Sequence, residues 1–143
     1  MNSQIRQPAR LLLVAAALVA AVAHVPVIGP HLEEAPYMGV LFILLTTACV
    51  LLAGVSLTSA HPAGPTLAGL VCGAAIVGYV ATRLVAFPQL ADDVGNWLEP
   101  LGVVAVLSEA VVVGAAVRLL TSGARTTAPA LSITRNDRRP ERR

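Results

Sequence analysis

Charged residues are scarce in this sequence, and lysine is absent from it. Only 13% of the 143 residues are charged, whereas soluble domains carry about 25%. Aromatic residues make up 3%, while the hydrophobic fraction is 56% and the mean hydropathy is +0.75. This balance excludes an ordinary soluble domain, and the lack of a basic patch with interleaved aromatic residues argues against nucleic-acid binding. The composition indicates one domain that lies in a lipid bilayer.

The few charges are confined to short segments between long apolar runs. The charge-free stretches are residues 11–23, 38–60 and 62–82. A helix needs about 20 apolar residues to span a bilayer, and a fourth run of that length is interrupted only by Glu109. We therefore expect an all-α transmembrane four-helix bundle of two antiparallel hairpins within residues 11–120. The predicted helices cover about residues 11–28, 36–57, 66–85 and 99–120.

The first apolar run has a second interpretation as a signal peptide. It has a basic start, a short apolar core and a small-residue segment, Ala21–Ala23, that resembles a cleavage site. However, the apolar character continues to Ile28, and cleavage would remove the helix that leads into the following polar segment. We expect the first helix to be retained, with cleavage as the alternative.

Two polar segments, which we call the hinges, separate the predicted helices within each hairpin. The first hinge is His24–Gly39 and the second is Arg83–Gly102. Each leads into a helix marked by an aromatic residue, Tyr37 or Trp97, and such rings favour the membrane interface. Arg83 is the only cation among the five carboxylates of the hinges, so we expect it to pair with one of them.

The distribution of arginine predicts the orientation. Arginines precede the first helix, flank the end of the fourth and recur in the C-terminal tail, so the positive-inside rule places both termini in the cytoplasm. The protein is then a multi-pass protein of the cell membrane with both hinges outside. Residues 1–10 form a cytoplasmic N-terminus, and residues 121–143 are predicted to be a disordered basic cytoplasmic tail.

His24, His31 and Glu34 of the first hinge are candidate metal ligands. Imidazole and carboxylate groups bind zinc, copper or iron, and carboxylates of the second hinge could add ligands. Pro26 and Pro30 are expected to break any helix between the two histidines, so the histidines should not share a helical face. The alternatives are a surface of helix caps and ion pairs, or an acidic rim that docks a partner. No cofactor is assigned.

Polar residues of the second hinge and fourth helix form another group of candidates at the interface or inside the membrane. Glu109 lies about ten residues into the fourth helix, hence roughly 15 Å below the surface. A buried carboxylate there is costly, so it should face the bundle interior, be protonated, or bond to a hydroxyl of Ser56, Thr46 or Thr47. Its role is either functional or the locking of helix register. The whole group is Arg83, Asp93, Trp97, Glu99 and Glu109.

Enzyme signatures are missing from the chain. It contains no GxSxG, P-loop, GxGxxG or HExxH sequence, and we expect a protein without enzymatic activity. Cys49 and Cys72 lie in apolar runs without zinc-site spacing, which predicts small buried residues. At similar depths in neighbouring helices they could touch, and we do not expect a disulfide.

The segments APYMGVLF, YVATR and DDVGNWLEPLG carry a resemblance that covers about residues 11–120. The chain resembles a group of small four-helix integral membrane proteins of GC-rich Gram-positive, actinobacterial-type bacteria. The resemblance implies the four-helix fold and its topology, and it carries over no catalytic residue. It depends on His31, Glu34, Pro36, Gly39, Arg83, Pro88, Asp93, Gly95, Trp97, Glu99, Pro100 and Gly102.

These observations predict a non-enzymatic binding or accessory component of the membrane. Its outer histidine and carboxylate face would bind a metal ion or a partner subunit. The alternative is a small oligomeric proton- or ion-handling unit centred on Glu109, with Arg83 at its entrance. The expected partners are the lipid bilayer and, beyond it, another membrane subunit or a second copy of the chain.

Overall fold

The structure is a computed structural model that describes residues 3–124. Within this range the chain is all-α, and the predicted four-helix bundle is confirmed. A short 3₁₀ helix, Ala91–Asp93, lies in the connection before the last long helix. The four long helices are α1 (Ser3–Glu34), α2 (Pro36–Thr58), α3 (Ala63–Leu84) and α4 (Pro100–Ala124).

All four helices are long and apolar enough to cross a membrane, which fits an integral membrane protein. The large apolar side chains lie mainly on the outside of the bundle, where Leu51, Leu70 and Val77 are each more than 60% exposed. Water would make such a surface unfavourable, whereas lipid solvates it. The candidate spans are Arg6–Glu34, Pro36–Thr58, Ala63–Leu84 and Pro100–Ser122.

Small residues fill the interior of the bundle. On α1, Ala9, Leu13, Ala16 and Ala20 recur at helical spacing and are all buried. Alanine allows helix backbones to approach closely, and close approach drives association in lipid, where apolar burial gives little. α1 therefore packs tightly on α2 and on α4, α3 packs on α4, and α2 and α3 share the smallest contact of these four pairs.

The first hinge differs from its prediction. The expectation that prolines end the first helix is wrong, because α1 continues through Pro26 and Pro30 to Glu34. Proline is tolerated inside transmembrane helices because neighbouring groups and small backbone adjustments compensate for its missing donor. Only Ala35, with φ −139° and ψ 78°, interrupts the helical path before α2. The predicted hinge is therefore a one-residue turn.

The second hinge contains a long connection between the end of α3 at Leu84 and the start of α4 at Pro100, and it lies at the same end of the bundle as Ala35. The hydroxyl of Tyr37, in the first turn of α2, donates to the carbonyl oxygen of Pro88 at 2.7 Å. We call this end of the bundle the hinge end. The expectation that both hinges lie together is confirmed by this bond.

The opposite end holds a short turn between α2 and α3. α2 ends at Thr58 and α3 begins at Ala63, close to the predicted loop 58–65. α4 extends to Ala124, four residues beyond its predicted end. The predicted disordered tail otherwise falls on residues 125–143, which lie outside the described residues.

Candidate functional site

A cavity of about 870 Å³ lies inside the bundle and receives side chains from all four helices. Its wall is mostly apolar and includes Leu41, Leu45 and Ala48 of α2 with Val71 and Ala75 of α3. The size is within the range of about 300–1,000 Å³ that is usual for small-molecule sites.

The cavity is partly open to the outside, and part of its exposed lining belongs to α2 and α3, the neighbouring helices that pack least closely. Leu44 of α2 and Gly78 of α3 both line it and are also exposed on the outer surface of the bundle. The outer surface at this depth belongs to the predicted membrane spans. An opening on this side of the bundle would face the lipid of a membrane.

A histidine and a carboxylate meet in the wall of this cavity. Nε2 of His24 on α1 lies 3.6 Å from Oε1 of Glu109 on α4, and the two side chains are 7% and 1% exposed. Nδ1–H of His24 donates to the carbonyl oxygen of Ala20 at 2.6 Å, so Nε2 is the nitrogen left to face the carboxyl group. The pair can hold one proton, either on the carboxyl group or on the imidazole ring.

The hydroxyl partners predicted for Glu109 do not reach it. Within residues 3–124, the hydroxyl oxygens of Thr46 and Ser56 are buried without a hydrogen-bond partner, and Thr47 donates to Ile43. Oε1 of Glu109 likewise accepts no hydrogen bond from this part of the chain. Of the alternatives predicted for Glu109, a position facing the bundle interior is confirmed. The ionisable side chain beside it is His24, for which the sequence predicts an outer loop.

Depth along the helices explains this pairing. His24 lies ten residues before the end of α1, and Glu109 lies nine residues after the start of α4, at the same end of the bundle. At 1.5 Å per residue both lie roughly 15 Å from the hinge end. The matching depths of His24 and Glu109 can be read from the sequence only if α1 is taken to continue through Pro26 and Pro30.

Both histidines of α1 contact one aromatic ring. The ring centroid of Phe42 on α2 is 5.4 Å from that of His24 and 4.9 Å from that of His31. The two histidines are two helical turns apart, and they share a face of α1, contrary to expectation. His31 donates through Nδ1 to the carbonyl oxygen of Val27 at 2.8 Å.

Arg83 lines the cavity at the hinge end. Its Nη1 lies 2.6 Å from Oδ1 of Asp93, which confirms the predicted pairing with a hinge carboxylate, and 3.3 Å from the carbonyl oxygen of Asp93. The guanidinium carbon lies 4.5 Å from the centroid of the Tyr79 ring. Gly95, at φ +78°, donates its N–H to the carbonyl oxygen of Arg83 at 3.0 Å. The second hinge is thereby folded back over the end of α3.

Glu99 and Trp97 have structural roles at the same end. The carboxylate of Glu99 accepts the backbone N–H groups of Leu101, at 3.0 Å, and of Gly102, and so caps α4 ahead of Pro100. The carbonyl oxygen of Trp97 accepts the hydroxyl of Tyr79 at 2.9 Å, while its indole ring is largely exposed.

The structure does not bring the three predicted metal ligands together. His24 is buried beside Glu109, whereas Glu34 is exposed at the last residue of α1. Among residues 3–124, no group of three or more His, Cys, Asp or Glu side chains is arranged to hold a metal ion. The outer surface is therefore a weaker candidate site than the cavity.

Cys49 and Cys72 lie next to each other in the core between α2 and α3. Both are free thiols and 1% exposed, as expected for small buried residues at matching depths. They lie near Glu109 but do not line the cavity.

No protein-family model, curated protein or solved structure matches this chain, and its resemblance to the small actinobacterial-type membrane proteins stays a prediction.

Proposed function

We propose that this chain is a non-enzymatic binding component of the cell membrane that holds a small amphipathic molecule in its cavity. The observation that carries the proposal is the partly open 870 Å³ cavity, whose exposed lining includes residues of α2 and α3 that belong to the candidate membrane spans. Apolar walls with a few convergent polar groups are the usual composition of a small-molecule site. The sequence pointed to a binding protein with its ligand on the outer surface. The geometry favours a binding protein whose ligand lies inside the bundle.

The proposal includes an orientation and an intact first helix. Both termini lie in the cytoplasm and the hinge end faces outwards, as the arginine distribution supports. α1 contributes His24 to the cavity and many of the buried alanines to the core. Cleavage after Ala23 would remove most of that packing, so α1 is retained as a membrane-spanning helix. A further membrane subunit or a second copy would bind on the lipid-facing surface.

Native mass spectrometry of protein extracted gently from membranes tests the proposal. We expect the wild-type chain to carry one non-protein adduct per chain. Gly78→Phe should lose it, because Gly78 lines the cavity and a Cβ atom there would meet no atom within 4 Å, which leaves room for the ring. Gly73→Phe is the matched control, since Gly73 has the same free space on the same helix but does not line the cavity. A wild-type chain without adduct, or equal adducts in all three proteins, would contradict the proposal.

The pair of His24 and Glu109 favours a second candidate, a proton- or ion-handling unit. A buried histidine and a buried carboxyl group that lie 3.6 Å apart inside a membrane are a usual element of proton relays. Proton flux into liposomes should then be abolished by Glu109→Gln. Flux that is unchanged in this variant, or absent from the wild-type protein, would remove this candidate and leave ligand binding.

A further inference from the structure

We propose that the ligand of the cavity is a lipophilic organic cation whose charge is balanced by the Glu109 carboxylate. This inference rests on the proposed function and names the class of molecule that the same cavity binds. The alternatives are a neutral amphipathic molecule and a lipophilic anion. The charged groups, the aromatic rings and the exchangeable proton of the cavity distinguish between these three classes of ligand.

The first argument is the state of Glu109. Its side chain is 1% exposed, it lines the cavity, and Oε1 accepts no hydrogen bond from the described residues. A carboxylate at this depth is costly unless it is neutralised. Without a ligand, one proton held by Glu109 or by the adjacent His24 supplies the neutralisation. A cation in the cavity could replace that proton, whereas an anion would add a second negative charge.

The other charges of the cavity are already balanced. Arg83 is paired with Asp93 at 2.6 Å, so its positive charge is not available to an anionic ligand. The negative charge of Glu99 is held by two backbone N–H groups at the start of α4. Of the described charged groups that line the cavity, Glu109 is therefore the one left for a guest, and it favours a positive guest.

The second argument is the placement of the aromatic rings. The chain has only five Phe, Tyr and Trp residues, and four of them line this cavity. The electron-rich faces of such rings attract cations. Tyr79 already lies beside Arg83, so a guest would meet the other three rings, of which Phe42 also contacts both histidines of α1. The three rings are those of Tyr37, Phe42 and Phe87.

The site requires that cation and proton compete. The protein without ligand holds one proton on the pair of His24 and Glu109, and binding of the cation releases it to solvent. The side chains that face Glu109 from the other helices are His24 of α1, Cys49 of α2 and Cys72 of α3. Of these three groups the imidazole is the one that lies 3.6 Å from Oε1 of Glu109, so it is the group that exchanges this proton with the carboxyl group. Affinity for the cation should therefore fall as the pH is lowered, by up to about tenfold per pH unit.

Two ions of matched shape and opposite charge test the inference. Tetraphenylphosphonium and tetraphenylborate should be compared by equilibrium dialysis against purified protein in detergent, with Gly78→Phe as the background for binding to micelles. We expect saturable binding of one phosphonium per chain, weaker at low pH, and no saturable binding of the borate. Glu109→Gln should lose at least about tenfold in phosphonium affinity.

Two further variants guard against a folding artefact. Glu109→Asp keeps the charge and should retain more phosphonium affinity than Glu109→Gln. Phe42→Leu keeps an apolar side chain and should weaken the phosphonium without creating affinity for the borate. Both variants should elute as the wild-type protein does in size-exclusion chromatography.

The outcomes separate this inference from the proposed function. Equal saturable binding of both ions, or phosphonium binding that is unchanged in Glu109→Gln, overturns the cation assignment and leaves the cavity as a binding site. Saturable binding of neither ion by the wild-type protein also overturns the assignment. If native mass spectrometry then finds no adduct, the proposed function fails with it.

Discussion

Nε2 of His24 lies 3.6 Å from Oε1 of Glu109, and this contact joins the first and last helices of the bundle inside its apolar interior. The hydrogen bond from Nδ1 of His24 to Ala20 holds the imidazole ring in the orientation that makes the contact. Within residues 3–124, this is the only contact between an acidic and a basic side chain that lies away from the hinge end. Its energetic coupling can be measured directly.

The coupling of His24 and Glu109 should appear in a double-mutant cycle. We expect His24→Leu and Glu109→Leu each to lower stability, and the double variant to lose less than the sum by about 1 kcal/mol, the size of polar interactions inside membrane proteins. The reason is that each single change leaves the other group buried without its partner. The measurement is unfolding in mixed micelles with increasing dodecyl sulfate. Strict additivity would show that the two side chains do not interact.

The ion pair of Arg83 and Asp93 should stabilise the hinge end. Asp93→Asn removes the charge that Nη1 of buried Arg83 meets at 2.6 Å, and we expect a loss of about 1–2 kcal/mol in the free energy of unfolding. Asp92→Asn is the matched control, since Asp92 is the adjacent residue, is exposed and makes no ion pair with any residue in the range 3–124. Equal stability of the two variants would argue against a structural role for the pair.

Gly39 should not tolerate a side chain. A Cβ atom at this position would lie 2.6 Å from Cγ and 2.7 Å from the backbone nitrogen of Leu32, because the one-residue turn at Ala35 presses α2 against α1. We expect Gly39→Ala to lower the free energy of unfolding by about 1–3 kcal/mol. Gly54→Ala on the same helix meets no atom within 4 Å and should be neutral or stabilising. Thermal unfolding in detergent compares the two, and a neutral Gly39→Ala would contradict the tight turn.

Glu99 and Glu34 precede helices that both begin with proline, yet only Glu99 should stabilise its helix. Its carboxylate accepts the N–H groups of Leu101 and Gly102, whereas α2 has Ala35 at its cap position and no side-chain bond there. Glu99→Ala should cost about 1 kcal/mol, and Glu34→Ala close to nothing. Hydrogen exchange at the amides of Leu101 and Gly102 provides the local measurement. Unchanged exchange in Glu99→Ala would exclude the cap.

The lengths of the apolar runs were enough to predict four spans, because crossing a bilayer is a local requirement on about 20 consecutive residues. The hairpin order followed from the same reasoning. The burial of Glu109 followed from the cost of a carboxylate in lipid, and the pairing of Arg83 followed from its being the only cation among the hinge carboxylates. The candidate metal ligands His24, His31 and Glu34 were grouped by nearness in sequence, and the structure does not arrange the three of them to hold a metal ion.

The sequence by itself determined the membrane class, the number of helices and the charged character of the hinge end, since each depends on composition along a short stretch. Only the tertiary structure decided that α1 continues through Pro26 and Pro30 and that His24 meets Glu109. Whether a proline ends a helix depends on whether neighbouring groups compensate for its missing backbone donor. Which residues lie at the same depth depends on how the helices pack. The cavity, which all four helices line, is likewise a property of packing. No segment of the sequence encodes it alone.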